Sequence, residues 1–449
     1  MFFQYSPFES NGGLKFWGHY SSEDMISWRY EGVPLLPDSI YDCHGVYSGS
    51  ALAEEDKLHL FYTGNVKMDG DYDYINNGRC SSTLHAESED GIRFGTKEEA
   101  ISWTDYPENY TCHIRDPKVW KDGEEYHMIL GGRQKGDKGA VLFYKSEDLK
   151  NWTFDRDLTT ENTFGYMWEC PDFFTLGDQE VLSVSPQGLT REEYRFQNIY
   201  QSGYFILKDG KPEEKDFREW DYGFDFYAPQ TFQDGKGRRI IIGWMGMPDA
   251  DEEYVNPTAE TEGWQHCLTV PREVTYKNAM LYQYPVEELN GLRMNGISVS
   301  GSDVELPVNG PFDLDIQVKG DQETIKIVSD LLVLLSKGEG TTRYGDSEKP
   351  MEVTPSKENV FLDYQDGNIS LALSEKAGAG RKVRKAHIPS GKVEALRILA
   401  DTTAVEIYVN GGEVVFSTRY YPETDEQTVK VETAEVDGEI YKLKNCVME

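Results

Sequence analysis

The chain has 449 residues with 45 Lys and Arg against 79 Asp and Glu, a formal net charge of −34. A field of that sign repels nucleic acid and anionic membrane surfaces, and it excludes both as expected partners. With 38% hydrophobic and 28% charged residues the composition is that of a globular protein, and the length suggests about two or three domains.

The opening residues 1–8, MFFQYSPF, read as a strand, because no basic segment precedes an apolar run of the kind a secretory leader needs. No stretch approaches the roughly 18 apolar residues of a membrane-spanning helix. Six cysteines at 43, 80, 112, 170, 267 and 446 lie far apart with no Cys-x-x-Cys pair, so reduced thiols and a cytoplasmic location are expected.

From there to residue 285 helical periodicity is scarce. Short apolar runs bounded by Gly, Asp, Asn and Pro recur instead, as in LHLFYTG (58–64), YHMILGG (126–132) and RIIIGWMG (239–246), which predicts an all-β fold. Ser-Glu-Asp followed by an aromatic residue stands at Ser22 with Trp28, Ser88 with Phe94 and Ser146 with Trp152, each after a strand-like run. A repeat of roughly 60 residues suits a four-stranded propeller blade with long loops.

After residues 285–289 (PVEEL) the texture changes. Strict alternation in DLDIQV (313–318), NISLAL (368–373) and AVEIYV (404–409) marks strands with one buried face, as in a sandwich. The expected division is a first unit over 1–294 and a second over 295–449, with a short connecting helix around 285–293. Gly411-Gly412 between two apolar runs predicts a hairpin.

No HExxH, GxSxG or Walker loop is present, which removes three enzyme classes. Cys43-His44, Cys112-His113 and His266-Cys267 are adjacent residues whose side chains leave opposite faces of a strand, so neither a metal site nor a cofactor is expected. What remains is carboxylates among aromatics: 9 Trp, 28 Tyr and 20 Phe supply flat apolar faces beside hydrogen-bonding acids, the combination that sugars require.

Two stretches carry acids in unusual settings, Arg115-Asp116-Pro117 and Trp168-Glu169-Cys170-Pro171-Asp172. Arg115 beside Asp116 is expected to hold it ionised, while an aromatic and a thiol beside Glu169 are expected to desolvate it and raise its pKa towards acid duty. Taken singly, each is equally well read as a surface ion pair or a strand-end carboxylate.

Their surroundings add the decisive pattern. In order stand Phe3-Gln4-Tyr5-Ser6-Pro7-Phe8, Phe16-Trp17-Gly18-His19, Tyr47-Ser48-Gly49-Ser50, the two acidic stretches, Phe226-Tyr227-Ala228-Pro229-Gln230 and Gly243-Trp244-Met245-Gly246. They continue through Leu268-Thr269-Val270-Pro271-Arg272-Glu273, Leu396-Arg397-Ile398-Leu399 and residues 405–412 (VEIYVNGG). Nearly the whole chain resembles glycoside hydrolase family 32, the β-fructofuranosidases. The resemblance implies a five-bladed β-propeller followed by a β-sandwich, and retaining hydrolysis of sucrose, sucrose 6-phosphate or short fructans. It also implies Glu169 as general acid and then base, and Asp116 as the carboxylate that grips fructose hydroxyls and stabilises the transition state. Gln4, Trp17, Tyr47, Ser48, Arg115, Tyr227 and Trp264 would line the fructose pocket, with Tyr47 in place of a common Phe. The implied partner is a small sugar, and a homo-oligomer stays open.

The sequence departs from the family at one point. Family members carry an Asn-Asp-Pro stretch with the nucleophilic Asp some fifteen to twenty residues before the element that here begins at Phe3. The first Asp of this chain is Asp24, in the repeated turn beyond Trp17. Retention needs two carboxylates acting in succession, so residues 1–449 by themselves are expected to give no more than trace hydrolysis, with Met1 an internal residue of a longer enzyme. The alternative is a propeller that binds fructosides or fructans without cleaving them. A purely structural propeller is a third reading, against which the joint presence of Asp116 and Glu169 argues.

Overall fold

The computed structural model describes residues 1–10, 12–248, 256–302, 304–319, 326–329, 360–365, 367–373, 382–421, 426–432 and 435–448. Five sheets of four or five strands follow one another along the first 285 residues, and a two-stranded ribbon pairs Val66–Lys67 with Arg79–Cys80. The first holds Phe2–Tyr5, Phe16–Ser21 and Ser27–Leu35, with Val447–Met448 running parallel to the last of these. The second holds Val46–Glu54, Lys57–Gly64, Thr83–Ser88 and Glu98–Ile101, and the third Tyr110–Asp122, Glu125–Gln134, Lys138–Ser146 and Thr153–Leu158. The fourth is built from Met167–Leu176, Gln179–Gln187, Gly203–Ile206 and Arg218–Glu219. Tyr227–Gln233, Arg239–Met245, Arg272–Lys277 and Met280–Pro285 make the fifth, with Cys267–Leu268 paired to its second strand.

The apolar runs are continuous because these sheets are covered on both faces. Phe61 and Ile101 of the second sheet share a core with Ile114, Met128 and Leu142 of the third. Ile129, Val141 and Phe143, on the opposite face of the third, pack with Trp168, Leu182 and Phe205 of the fourth. Phe174 and Val181 of the fourth meet Ile241 and Val274 of the fifth and Phe226 just before its first strand. A strand covered on both faces has no reason to alternate.

The Ser-Glu-Asp repeats are turns with one construction. Asp24 Oδ1 accepts the backbone N–H groups of Ile26 and Ser27 at 2.9 and 2.7 Å, and Asp148 Oδ1 those of Lys150 and Asn151 at 2.9 and 2.8 Å. The aromatic residue closes the turn: the indoles of Trp28 and Trp152 donate to the carbonyls of Met25 and Leu149. Asp90 forms the same turn with Ile92 and Arg93.

Beyond a 3-10 helix at Glu287–Leu292, where the short connecting helix was expected, two six-stranded sheets begin. One runs Arg293–Gly301, Glu435–Leu443, Phe312–Lys319, Ala395–Ala400, Ala404–Val409 and Val414–Arg419. The other runs Val304–Asn309, Glu426–Glu432, Lys326–Ser329, Val360–Gln365, Asn368–Leu373 and Val383–His387. Val299, Leu314, Ile398 and Ile407 of one share a core with Leu306, Ile369 and Leu371 of the other, which makes the pair a sandwich. The expected hairpin joins Ala404–Val409 to Val414–Arg419. Its Gly412, at φ 91°, presses against the Gln283 carbonyl of the fifth sheet, where an added Cβ would come within 1.9 Å of the oxygen.

That contact lies beside a buried ionic knot. Arg272 of the fifth sheet, with no exposed surface, donates to Glu406 Oε2 at 3.0 and 2.5 Å, to Asp221 Oδ2 at 3.1 Å and to Ser417 Oγ at 2.5 Å. Glu406 also accepts the Val270 N–H and the Tyr408 hydroxyl. Removing the cation leaves two buried carboxylates facing each other, so Arg272→Met is expected to cost about 3–5 kcal/mol. A lower denaturant midpoint measures the loss, and an unchanged midpoint would show that the knot does not hold sheet to sandwich.

Candidate active site

The first strands of the second to fifth sheets carry an irregularity at the same place. Regular pairing with the neighbouring strand lapses between Val46 and Gly49, Arg115 and Lys118, Glu169 and Asp172, and Tyr227 and Gln230. In the last three a residue with positive φ stands before a proline: Asp116 at 65°, Cys170 at 45° and Ala228 at 49°. Proline has no N–H for the ladder, so the bulge costs no extra hydrogen bond there. Each bulge turns side chains that alternation would send to opposite faces towards one end of the sheets. These first strands pack side by side in chain order, and their bulges therefore converge.

Glu169 stands at the centre of that convergence. Its Oε1 accepts Arg115 Nε and Nη2 at 2.9 and 2.5 Å, and its Oε2 accepts Gln187 Nε2 at 2.9 Å and the Tyr227 hydroxyl at 2.6 Å. Burial and the neighbouring Glu169 hold the Tyr227 hydroxyl well above its ordinary pKa, so it serves as a donor. Asp116 is nearly enclosed, at 6% exposure. Its Oδ2 accepts the Cys170 backbone N–H at 3.0 Å and faces the Cys170 thiol at 3.5 Å, while its own N–H donates to Thr63 Oγ1 at 2.9 Å. Arg115 Nε is 4.0 Å from Asp116 Oδ2, so one guanidinium nitrogen reaches both acids and places them within the span of a single sugar ring.

For Asp116 the electrostatic expectation fails. Arg115 directs its fork to Glu169 and not to its sequence neighbour. Burial, reinforced by the charge of Glu169 and only partly offset by Arg115 and the Cys170 N–H, pushes the Asp116 carboxyl from 3.8 up to about 6. The supposed desolvating neighbours of Glu169 lie elsewhere: the Trp168 ring is fully buried with its indole on the Phe164 carbonyl, and the thiol faces Asp116. Alternation along the strand sends residues 168 and 169 to different faces, which adjacency in sequence conceals.

A second group adjoins. The Trp17 indole donates to the Tyr47 carbonyl at 3.1 Å, and Gln4 Nε2 to the Val46 carbonyl at 3.3 Å, which sets Gln4 and Trp17 against the bulge that carries Tyr47 and Ser48. Strand Val46–Glu54 packs on Tyr110–Asp122, with the Val119 N–H on Ser50 Oγ at 3.0 Å. Trp264 is set apart, 39% exposed, its indole on Glu262 Oε2 at 2.9 Å and its ring under the Arg419 guanidinium. Sequence reasoning passed over Gln187 and Thr63. Both take their places through strand register, Gln187 opposite Met167 at the end of the fourth sheet's second strand. Gly131 is as constrained, since an added Cβ would meet the Trp168 carbonyl at 2.1 Å and push on the strand that carries Glu169.

Comparison with known proteins decides the family. The profile of the Glycosyl hydrolases family 32 N-terminal domain matches residues 1–285, and that of the Glycosyl hydrolases family 32 C terminal matches 298–445. The chain belongs to glycoside hydrolase family 32. It is 38% identical to the sucrose-6-phosphate hydrolase of Bacillus subtilis (strain 168) over 436 residues, 94% of this chain and 83% of that one. The solved sucrose-6-phosphate hydrolase of Lactobacillus gasseri superposes with a TM-score of 0.82 at 26% identity, covering 99% of this chain and 88% of that one. A mutant of the Bombyx mori family 32 β-fructofuranosidase, solved in complex with sucrose, superposes with a TM-score of 0.79 at 31% identity, with 99% and 88% covered. The family 32 protein described here is thus a glycoside hydrolase, all-β and of propeller-plus-sandwich type.

The raised Asp116 has a consequence for folding. A carboxyl that titrates near 6 when folded and near 3.8 when unfolded leaves the native state less stable as pH rises from about 4 through 6. Asp116→Asn removes that liability while keeping an acceptor for the Cys170 N–H. The variant is expected to be more stable than the parent at pH 7 to 8, with the gain fading as pH falls through 6 and gone near 4. Paired denaturation curves across pH check the sign.

Proposed function

We propose that this family 32 protein hydrolyses β-fructofuranosides with retention, taking sucrose, sucrose 6-phosphate or short fructans. Glu169 protonates the leaving oxygen and then deprotonates water, and Asp116 holds fructose hydroxyls as positive charge develops on the ring. The observation that carries the reading is the pair of acids reached by one Arg115 nitrogen. In this reading Arg115, Gln187 and Tyr227 orient Glu169 in the empty site, and the arriving sugar takes over part of their hydrogen bonding. Gln4, Trp17, Tyr47, Ser48, Arg115 and Tyr227 contact the fructosyl unit, and Trp264 contacts it from the rim. Similarity to enzymes named sucrose-6-phosphate hydrolase supports the substrate class.

For the architecture we propose five blades, one per sheet, over residues 1–294, with the sandwich over 295–449 and strand Arg293–Gly301 crossing the junction. In the second and third sheets the Ser-Glu-Asp turn follows the third strand, whereas in the first it follows the second. The cytoplasmic placement rests on the free cysteines among the described residues, and no described helix is long and apolar enough to cross a membrane.

The experiment compares residues 1–449 with the same chain carrying a family-type N-terminal strand and its Asp. Sucrose hydrolysis is expected to rise by several orders of magnitude on addition of the strand, and Glu169→Gln in the extended chain to abolish the basic limb of the pH–rate profile. Robust turnover by residues 1–449 overturns the need for the added carboxylate. Fructoside binding without turnover in the extended chain selects the binding-protein reading, and an unchanged bell in the Gln variant removes Glu169 from its role.

A further inference from the structure

Away from the acids, the second sheet gathers three metal-ligating groups. Strands Lys57–Gly64 and Thr83–Ser88 pair so that His59 stands opposite Glu87 and Phe61 opposite His85. Alternation sends all four side chains to one face. His59 Nδ1 is 2.9 Å from His85 Nε2 and 4.0 Å from Glu87 Oε2, and the three ligand atoms lie within 4.8 Å of one another. Both imidazoles are buried, and their rings are held by stacking, His59 on His85 and Phe61 on His85, with Trp152 edge-on to Phe61. Glu87 is partly exposed and divides its oxygens, Oε1 binding Lys57 Nζ at 2.6 Å and Oε2 facing the imidazoles.

We propose that His59 Nδ1, His85 Nε2 and Glu87 Oε2 bind a divalent transition-metal ion of the zinc class, with water in the fourth position. Tetrahedral zinc at 2.0–2.1 Å from each nitrogen sets them roughly 3.3 Å apart, so to bind it the rings, now facing each other across 2.9 Å, part by a few tenths of an ångström and turn their lone pairs towards the ion, and Glu87 Oε2 closes in from 4.0 Å. The proton between the facing nitrogens moves to the other nitrogen of its own ring, and no net proton is lost. Charges of both signs surround the pair, Glu54, Glu55 and Glu87 on one side of the balance and Lys57 and Lys150 on the other, so the ligand geometry and not the local field carries the site. Thr63, which holds the Asp116 N–H, is four residues further along the His59 strand, roughly 13 Å away. The ion therefore clamps two strands and takes no part in sugar chemistry, and the proposal stands independently of the hydrolase reading.

The test uses the full chain, stripped of metal with chelator and titrated with Zn²⁺ in a calorimeter and with Co²⁺ in a spectrophotometer. One equivalent of Zn²⁺ is expected, with a rise in melting temperature of about 3 °C at saturation and the strong visible bands of tetrahedral Co²⁺. Glu87→Gln, a change at a partly exposed position, is expected to weaken Zn²⁺ binding at least about tenfold, and His59→Asn to abolish it. Absence of stoichiometric Zn²⁺ binding, or full affinity in the folded Glu87→Gln variant, overturns the site whether or not the histidine variant folds.

Discussion

The site depends on a backbone constraint before it depends on any side chain. Three successive first strands place Asp116, Cys170 and Ala228 in the left-handed region just before a proline. A non-glycine residue held there costs of order 1–3 kcal/mol, and the strain persists because the sheets on either side leave the strand no alternative course. In return the chain gains a local reversal of facing. Without the bulge, Arg115 and Asp116 would leave opposite faces of their strand, and no single guanidinium nitrogen could reach both acids.

The same electrostatic device appears twice. In a chain of net charge −34, two arginines set among buried carboxylates are each shared between two acids. Arg115 bridges Glu169 and Asp116 unevenly, at 2.9 and 4.0 Å from its Nε, whereas Arg272 satisfies Glu406 and Asp221 at hydrogen-bond distance. The difference matches the two settings. At the junction of fifth sheet and sandwich every donor and acceptor is taken up by Gln283, Ser417, Tyr408 and the Val270 N–H, which makes the contact stiff. At the mouth of the sheets Asp116 is left short of a counterion.

Much of this architecture is legible in one dimension. Continuous apolar runs gave way to alternation where sheets covered on both faces gave way to a sandwich, and the Ser-Glu-Asp turns marked strand ends because an Asp carboxylate bonds two following N–H groups wherever it stands. Gly411-Gly412 was readable as a hairpin for the same local reason. What failed to show was anything set by register. Arg115 was assigned to Asp116 because the two are adjacent, and its partner is Glu169 on another sheet. Gln187 and Thr63 carry no motif, and His59 and His85 are separated by a long loop and meet only because two strands pair. Adjacent Cys and His residues attracted attention as metal ligands, although cross-strand neighbours on one face are what a sheet brings together.

The shortage at Asp116 acquires a purpose if the proposed reaction is granted. A carboxylate pushed up to about 6 by burial, with its nearest cation directed elsewhere, is poorly stabilised while the site is empty. An oxocarbenium-like ring brings positive charge to that carboxylate, and brings it only as the glycosidic bond breaks. Interaction that is weak in the ground state and strong in the transition state lowers the barrier, whereas an Arg115 fork closed on Asp116 would have spent that attraction in advance. On this argument the reversal of the expected ion pairing is the arrangement catalysis requires, and the strain of the bulges is the structural cost of maintaining it.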